Sequence, residues 1–247
     1  LPPVYRAIAA WRPRVCVNLH GGTRSMLLTL ASLARCRAGF AHHRGAAAVY
    51  NCRIPRAQEI LGVERPVHTA EHLASAMFHL GVPVAEPPRA RLFAAPVHAA
   101  QPYAVIHPAA AAAYKTWPAE RFLAVAKHIA ATPLEPVFIG GPADDLTPFR
   151  GFRTAAGTPL ADVKSLLAGA SLFIGNDSGP AHMAAAFGVP VVVLFGRLEH
   201  QVTWAPWRAR ASRTLASAEG IGAITVGAAL QALDEVAAEA GVSAPGA

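Results

Sequence analysis

LFIGNDSGPAHMAAAFGVPVVVLFG, residues 172–196, is the stretch whose reading decides the fold. Two short apolar runs, Leu172–Ile174 and Val191–Phe195, flank a segment of small residues with helical spacing. Such near-continuous apolar runs are those of parallel strands covered on both sheet faces. Between them Asp177 and Ser178 are helix-starting residues, Pro180 fits a first turn, and Gly188 with Pro190 stops the helix. The pattern is strand, sharp polar turn, helix, strand. In an open parallel sheet, ligands bind outside the carboxyl ends of the strands. The turn Gly175-Asn176-Asp177-Ser178-Gly179 falls there, where backbone N–H groups and a positive helix end suit an anion.

Working outward, 247 residues suit one large or two modest domains with a sizeable core. A hydrophobic fraction of 53% against 15% charged residues excludes a disordered chain. The formal charge of +7 points to an acidic partner: a nucleotide, a phosphorylated glycan, an anionic membrane surface or nucleic acid. Nucleic acid is the weakest of these, because the arginines are scattered and not interleaved with aromatics. Cys16, Cys36 and Cys52 form no CxxC pair, which argues against a zinc site or a disulfide framework and fits a reducing cytoplasm. No apolar run approaches the about 20 residues that a membrane helix needs, and no signal peptide is read.

In chain order, residues 14–19 read as a strand, about 25–37 as a helix and the region near Phe40 as a short extended piece. Residues 44–68 read as loop with one short helix, and 70–80 as a helix closed by Gly81. The proline-rich stretch 82–102 is the linker candidate. The chain then alternates: strand 103–106, loop 107–117, helix from Pro118 to about Ala131, strand 136–139, short strand 152–155, helix 160–168, and the opening stretch. Residues 197–213 read as a long loop and 226–240 as a last helix. This alternation means α/β with parallel sheets. The expected division is an incomplete N-terminal domain over 1–97, its linker starting near 82, and a C-terminal domain over 98–247.

Several residues carry candidate chemistry, each beside an ordinary reading. Gly175, Ser178 and Gly179 allow backbone to approach a bulky anion closely, though a well-capped helix alone would explain them. Asp177 against a phosphate would be repulsive, so it is expected to cap the helix or accept sugar hydroxyls. His182, one turn into the helix, is either a packed residue or a neutral imidazole donating to a phosphate or hydroxyl. Lys115, beside Thr116, is either solvated or a cation in the loop after the strand ending at Ile106, reaching the same cleft as the 175–179 turn and neutralising a leaving diphosphate there. Gly140, Gly141 and the carboxylates Asp144 and Asp145 follow a strand, where a carboxylate can bind ribose hydroxyls or simply close an exposed turn. No Walker-type loop, GxSxG elbow or carboxylate cluster for a metal is present in the sequence.

NDSGPAHMAAAFGVP at 176–190, followed by VVVLFG at 191–196, resembles the signature of glycosyltransferase family 9, the ADP-heptose lipopolysaccharide heptosyltransferases. His107-Pro108 with Tyr114-Lys115-Thr116-Trp117-Pro118, and Phe138-Ile139-Gly140-Gly141-Pro142, are similar to two further motifs of that family. Leu19-His20-Gly21 with Arg24-Ser25 resembles the late part of its N-terminal domain. The resemblance implies a GT-B architecture, with two Rossmann-like domains facing a cleft and the nucleotide held by the C-terminal one. It implies inverting, metal-independent transfer of heptose from ADP-heptose, with no cofactor, to the phosphorylated lipid A–Kdo inner core at the inner membrane surface. Carried over by motif, Lys115, Asp177 and His182 are the catalytic candidates. Thr116, Gly140, Gly141, Asp145, Asn176, Ser178 and Gly179 would join them around the donor. A cytoplasmic monomer, peripheral at the membrane and without nucleic acid, is the matching expectation.

The sequence also departs from the family pattern. The GDxxxT-like turn whose Asp serves as general base is not in the chain, which begins at Leu1 inside what reads as loop or helix. The first part of the N-terminal domain, roughly 70–80 residues by typical domain sizes, is therefore expected to be missing. The loop PAAAAA at 108–113 has no Ser or Thr, and Asp144-Asp145 stands where glutamate is commoner. Two alternatives follow: a non-catalytic ADP-sugar-binding protein, or a GT-B transferase using another nucleotide sugar.

Overall fold

The computed structural model describes residues 2–43 and 45–242. The chain forms two compact units, Leu1–Pro87 and Pro88–Ala247.

The first unit runs α1 (Pro2–Trp11), β1 (Val15–Asn18), α2 (Thr23–Ala31), β2 (Cys36–Phe40), β3 (Cys52–Ile54), α3 (Ala57–Leu61) and α4 (Thr69–His79). Its three strands are parallel in the order β1-β2-β3. Ala38, Phe40, Ile54 and Ala76 make a small core. Helix α2 stops six residues short of the sequence expectation. The reason is local: the Ser32 hydroxyl donates to the Thr29 carbonyl and accepts from Ala34 N–H, Leu33 takes φ +51°, and Cys36 is already paired with Val15. Strand β3 lies inside the region read as loop. It has only three residues, of which Ile54 alone is buried, so it carries no periodic signal.

The second unit contains β4 (Tyr103–His107), α5 (Ala119–Ala130), β5 (Glu135–Gly140), β6 (Arg153–Ala156), α6 (Leu160–Ala168), β7 (Leu172–Asn176), α7 (Gly179–Phe187), β8 (Val191–Phe195), α8 (Leu198–Trp204), β9 (Ser212–Ala216) and α9 (Val226–Ala240). Its six strands are all parallel, in the order β6-β5-β4-β7-β8-β9. Strands β4, β7 and β8 are buried along their whole length, as apolar runs covered on both faces must be. Alternate residues serve opposite layers. Ala104, Ile106, Ile174, Val192 and Leu194 pack against α5 and α9. Tyr103, Val105, Phe173, Val191, Val193 and Phe195 pack against α6 and α7. The buried alanines 181, 184 and 185 on α7 let that helix lie close on the sheet.

Three differences from the sequence reading matter here. Strand β7 continues through Gly175 and Asn176, so the turn after it shrinks to Asp177 and Ser178. The expected loop 197–213 contains α8 and leads into β9. The residues of β9 are all half-buried at the sheet edge and form no apolar run. They are tied to α8 by Gln201, which donates to the Thr214 carbonyl at 2.8 Å and to its hydroxyl at 2.9 Å. Among the described residues no helix is long and apolar enough to cross a membrane.

The sheet order runs outward in both directions from β4 and β7, so the chain's direction of travel reverses between them. There His107 is in register with Gly175. A Cβ on Gly175 would sit 2.7 Å from the His107 carbonyl oxygen and 3.0 Å from its Cβ. Gly175→Ala is therefore expected to cost about 2 kcal/mol through overpacking. Gly151→Ala, where a Cβ meets nothing within 4 Å, is expected to be neutral. Urea denaturation of the two variants checks this; equal midpoints would show that the contact imposes no constraint.

Candidate functional site

The carboxyl ends of β4 and β7 open at the point where strand order reverses, the position at which α/β sheets bind ligands. The loop after β4 and the turn after β7 meet there. Lys115 Nζ donates to Asp177 Oδ2 at 2.6 Å, with the two side chains 21% and 7% exposed. The loop that carries Lys115 is pinned by Asn176, which is fully buried. Its Nδ2 donates to the Pro108 carbonyl at 2.7 Å and its Oδ1 accepts from Trp117 N–H at 3.2 Å. Trp117 is anchored in turn, its ring N–H donating to the Ile224 carbonyl at 2.9 Å. Both ends of the Asn176 amide are thus taken up in holding the loop against β7.

Ser178 occupies the N-cap position of α7 in extended conformation, yet its side chain makes no cap hydrogen bond. Its hydroxyl lies 3.0 Å from His107 Nδ1, and Asp177 is held by the lysine. The expectation that Asp177 caps the helix is corrected: the ammonium offers the carboxylate a stronger partner than a peptide N–H. Pro180 has no N–H, and a Cβ on Gly179 would meet nothing within 4 Å, so α7 opens on free space at Gly179. His182 lies in the same turn and is exposed. Asp177 N–H donates to the Leu194 carbonyl at 2.9 Å, which fixes the turn to β8.

The loop after β5 lies on the other side of β4. Gly141 N–H donates to Asp144 Oδ2 at 2.7 Å, and Gly140 ends the strand with its absent Cβ 3.1 Å from Asp144 Cβ. Asp145 is exposed and accepts from Thr147 N–H at 2.8 Å. Its hydrogen bonds to Thr147 hold its carboxyl below the usual range. The Thr116 hydroxyl donates to the Ala112 carbonyl at 3.0 Å. Between this loop and the 108–119 loop is a cavity of about 270 Å³ whose walls include Ala109, Ala110, Thr116, Asp144, Asp145 and Phe149. Among the described residues no His, Cys, Asp and Glu group has the arrangement of a metal site. The structure therefore gathers Lys115, Asp177, Ser178, Gly179 and His182 at one strand end. Asp145 and Thr116 line the neighbouring cavity, whereas Gly140 and Gly141 do not; they sit in the turn closed by Asp144.

Two residues escaped the sequence reading. His107 appeared there only as part of a motif; it is 8% exposed and burial pushes its imidazole down to about 4, with Asp144 opposing. It is neutral near pH 7 and holds the Ser178 hydroxyl. Arg197, just past β8, lay in the expected loop; its guanidinium sits 4.7 Å from the centre of the Tyr114 ring. A signal for His107 existed, a polar residue ending an otherwise apolar strand. None existed for Arg197.

The model of glycosyltransferase family 9 (heptosyltransferase) matches residues 6–222. Lipopolysaccharide heptosyltransferase 3 of Escherichia coli is 39% identical over 118 residues, which is 43% of this chain and 34% of that protein. The chain thus spans about a third of the length of the curated relatives it matches. The glycosyl transferase family 9 structure from Veillonella parvula superposes with TM-score 0.79 at 21% identity, covering 96% of this chain and 77% of that one. The E. coli ADP-heptose lps heptosyltransferase II gives 0.71 at 20% identity, covering 94% and 78%. The architecture is accordingly α/β of GT-B type, with Rossmann-like units.

The buried neutral His107 makes stability depend on pH. Its folded pKa lies below the unfolded value of 6.5, so between pH 6.5 and about 4 the unfolded chain binds more protons. The contribution is complete above 6.5 and is lost as pH falls to 4, a change of about 3 kcal/mol from this residue. In His107→Asn that part of the slope should vanish in urea titrations between pH 7.5 and 4. An unchanged slope would assign the dependence elsewhere.

Proposed function

The chain belongs to glycosyltransferase family 9, and from that membership we propose that it acts in transferring heptose from ADP-heptose to the lipopolysaccharide inner core. The observation that carries this reading is the Lys115–Asp177 pair beside the start of α7, where Ser178 makes no cap hydrogen bond, at the point where strand order reverses. In an inverting displacement the acceptor hydroxyl gives its proton to a general base, its oxygen bonds to the anomeric carbon as the bond to the diphosphate breaks, and ADP leaves with added negative charge. Groups that meet charge as it develops lower such a barrier most. Lys115 and the Gly179 end of α7 would do so without a metal, and the Ser178 hydroxyl, oriented by His107, would donate to a phosphate oxygen. His182 would reach the same phosphates or the sugar. As the ligand draws Lys115 away, Asp177 becomes free to accept heptose hydroxyls. The cavity bounded by Thr116, Asp144 and Asp145 suits the nucleoside, with a carboxylate on the ribose. The acceptor is proposed to be the phosphorylated lipid A–Kdo core, met by a cytoplasmic monomer at the inner membrane surface.

Calorimetry with ADP, UDP and GDP, followed by consumption of ADP-heptose in the presence of acceptor, tests the reading. Preference for ADP and turnover of the sugar nucleotide support it. Binding without turnover would favour a nucleotide-sugar-binding protein.

Lys115→Ala should weaken ADP roughly tenfold or more, because a charge-assisted contact is lost. It also leaves Asp177 bare against the phosphates, so Lys115→Ala/Asp177→Asn should bind better than the single variant. An equal affinity for the two would sink the idea that the carboxylate opposes the anion. Gly179→Leu should fold normally, since its side chain enters open space, and should exclude ADP; nucleotide binding like wild type would refute a close approach there.

A further inference from the structure

Lys115 is the obvious cation for an anionic ligand, yet Asp177 already neutralises it at 2.6 Å in a largely buried pair. The carboxyl edge of the second sheet also carries Asp144, Asp145 and Glu199. Arg150, on the far side of β4, lies near Asp145, whose carboxyl is lowered mainly by its hydrogen bonds to Thr147 and in smaller part by that guanidinium. A diphosphate entering this edge would meet a nearly balanced field unless another cation takes part.

Arg197 has the required properties. It follows Gly196 at the end of β8, and a Cβ on Gly196 would collide with the Tyr114 carbonyl. That contact presses the loop bearing Tyr114 and Lys115 directly against the start of the Arg197 segment. The guanidinium lies over the Tyr114 ring at 4.7 Å, and the ring's other neighbour is His200, with centroids 6.1 Å apart. The acidic partner of Arg197 is Glu199, at 3.7 Å, with both side chains more than half exposed. An exposed pair at that distance is weak and easily exchanged, whereas the Lys115 pair is short and shielded. Tyr114 holds the guanidinium through its ring face and leaves the planar fork of donors available for two phosphate oxygens.

We propose that Arg197, mounted on Tyr114, is a second anion-binding residue of this site and takes the diphosphate of the ligand together with Lys115. The identity of the ligand rests on the nucleotide-sugar reading above; the anion chemistry does not. Arg197 supplies the cation that can be spared, and Lys115 follows once the phosphates compete with Asp177. The β-phosphate, absent from AMP, is the group it discriminates.

The test uses the full chain and three probes, ADP, AMP and inorganic pyrophosphate, titrated by calorimetry into wild type, Arg197→Ala, Arg197→Lys and Tyr114→Leu. Arg197→Ala is expected to weaken ADP and pyrophosphate roughly tenfold while changing AMP much less, with an unaltered thermal midpoint because the residue is exposed. Arg197→Lys should recover part of the loss, since a point charge replaces the fork, and Tyr114→Leu should show a smaller loss than Arg197→Ala. Wild type and Arg197→Ala binding ADP equally would overturn the proposal. Pyrophosphate binding that depends on Arg197, with no binding of ADP, would uphold it while removing the nucleotide reading. Binding of none of the three probes by wild type would overturn both.

Discussion

The second unit depends on the contact between His107 and Gly175. Strands β4 and β7 lie side by side in register only because residue 175 has no side chain, its would-be Cβ falling 2.7 Å from the His107 carbonyl. From that contact the geometry of the strand ends follows. His107, unable to reach solvent, turns its ring to Ser178 and fixes the entry of α7. Asn176, one residue beyond Gly175, seizes the chain leaving β4 at both Pro108 and Trp117. Lys115 is thereby delivered to Asp177. An ion pair 62 residues apart in sequence is thus set by backbone packing, with the charges as a consequence.

Much of this was written plainly in the chain and some of it was not. The strands β4, β7 and β8 declare themselves because burial on both faces demands unbroken apolar runs. Helices α5, α6, α7 and α9 declare themselves by spacing and by Pro, Thr or Gly at their ends. Strands β3 and β9 do not, since one is three residues long and the other is half-exposed at an edge. Such strands exist by virtue of a neighbour's backbone, and no property of their own side chains announces them. At the site, the small residues and the lysine were legible as types. The Lys115 loop was expected at the same cleft as the 175–179 turn, but the direct ion pair was not: a carboxylate after a strand and a lysine in a distant loop carry no local mark of one another. That is why Asp177 looked like a helix cap. Arg197 was hidden for a further reason, since its meaning comes from the Tyr114 ring beneath it.

Electrostatically, the site differs from the chain as a whole. A formal charge of +7 draws anions toward the molecule, but the carboxyl edge of the second sheet is nearly balanced. Selection there must come from placement of donors and from which pairs can be exchanged, since the long-range field is available to any anion and fades within about 8 Å at physiological salt.

The division between fixed and exchangeable groups then has a mechanistic meaning. His107 and Asn176 are buried and uncharged, the first held by Ser178 and the second by Pro108 and Trp117, so they keep their positions whether or not a ligand is present. Lys115 and Arg197 each carry a carboxylate partner that a phosphate can replace. A ligand's charge is met by groups that already have somewhere to return to. On the proposed function, a leaving group that gains charge would compete better for both cations, and on its departure Asp177 would take Lys115 back so that no buried charge is left unpaired. An unpaired lysine would hold a diphosphate more tightly but would favour ground state and product together, which does not accelerate the chemical step.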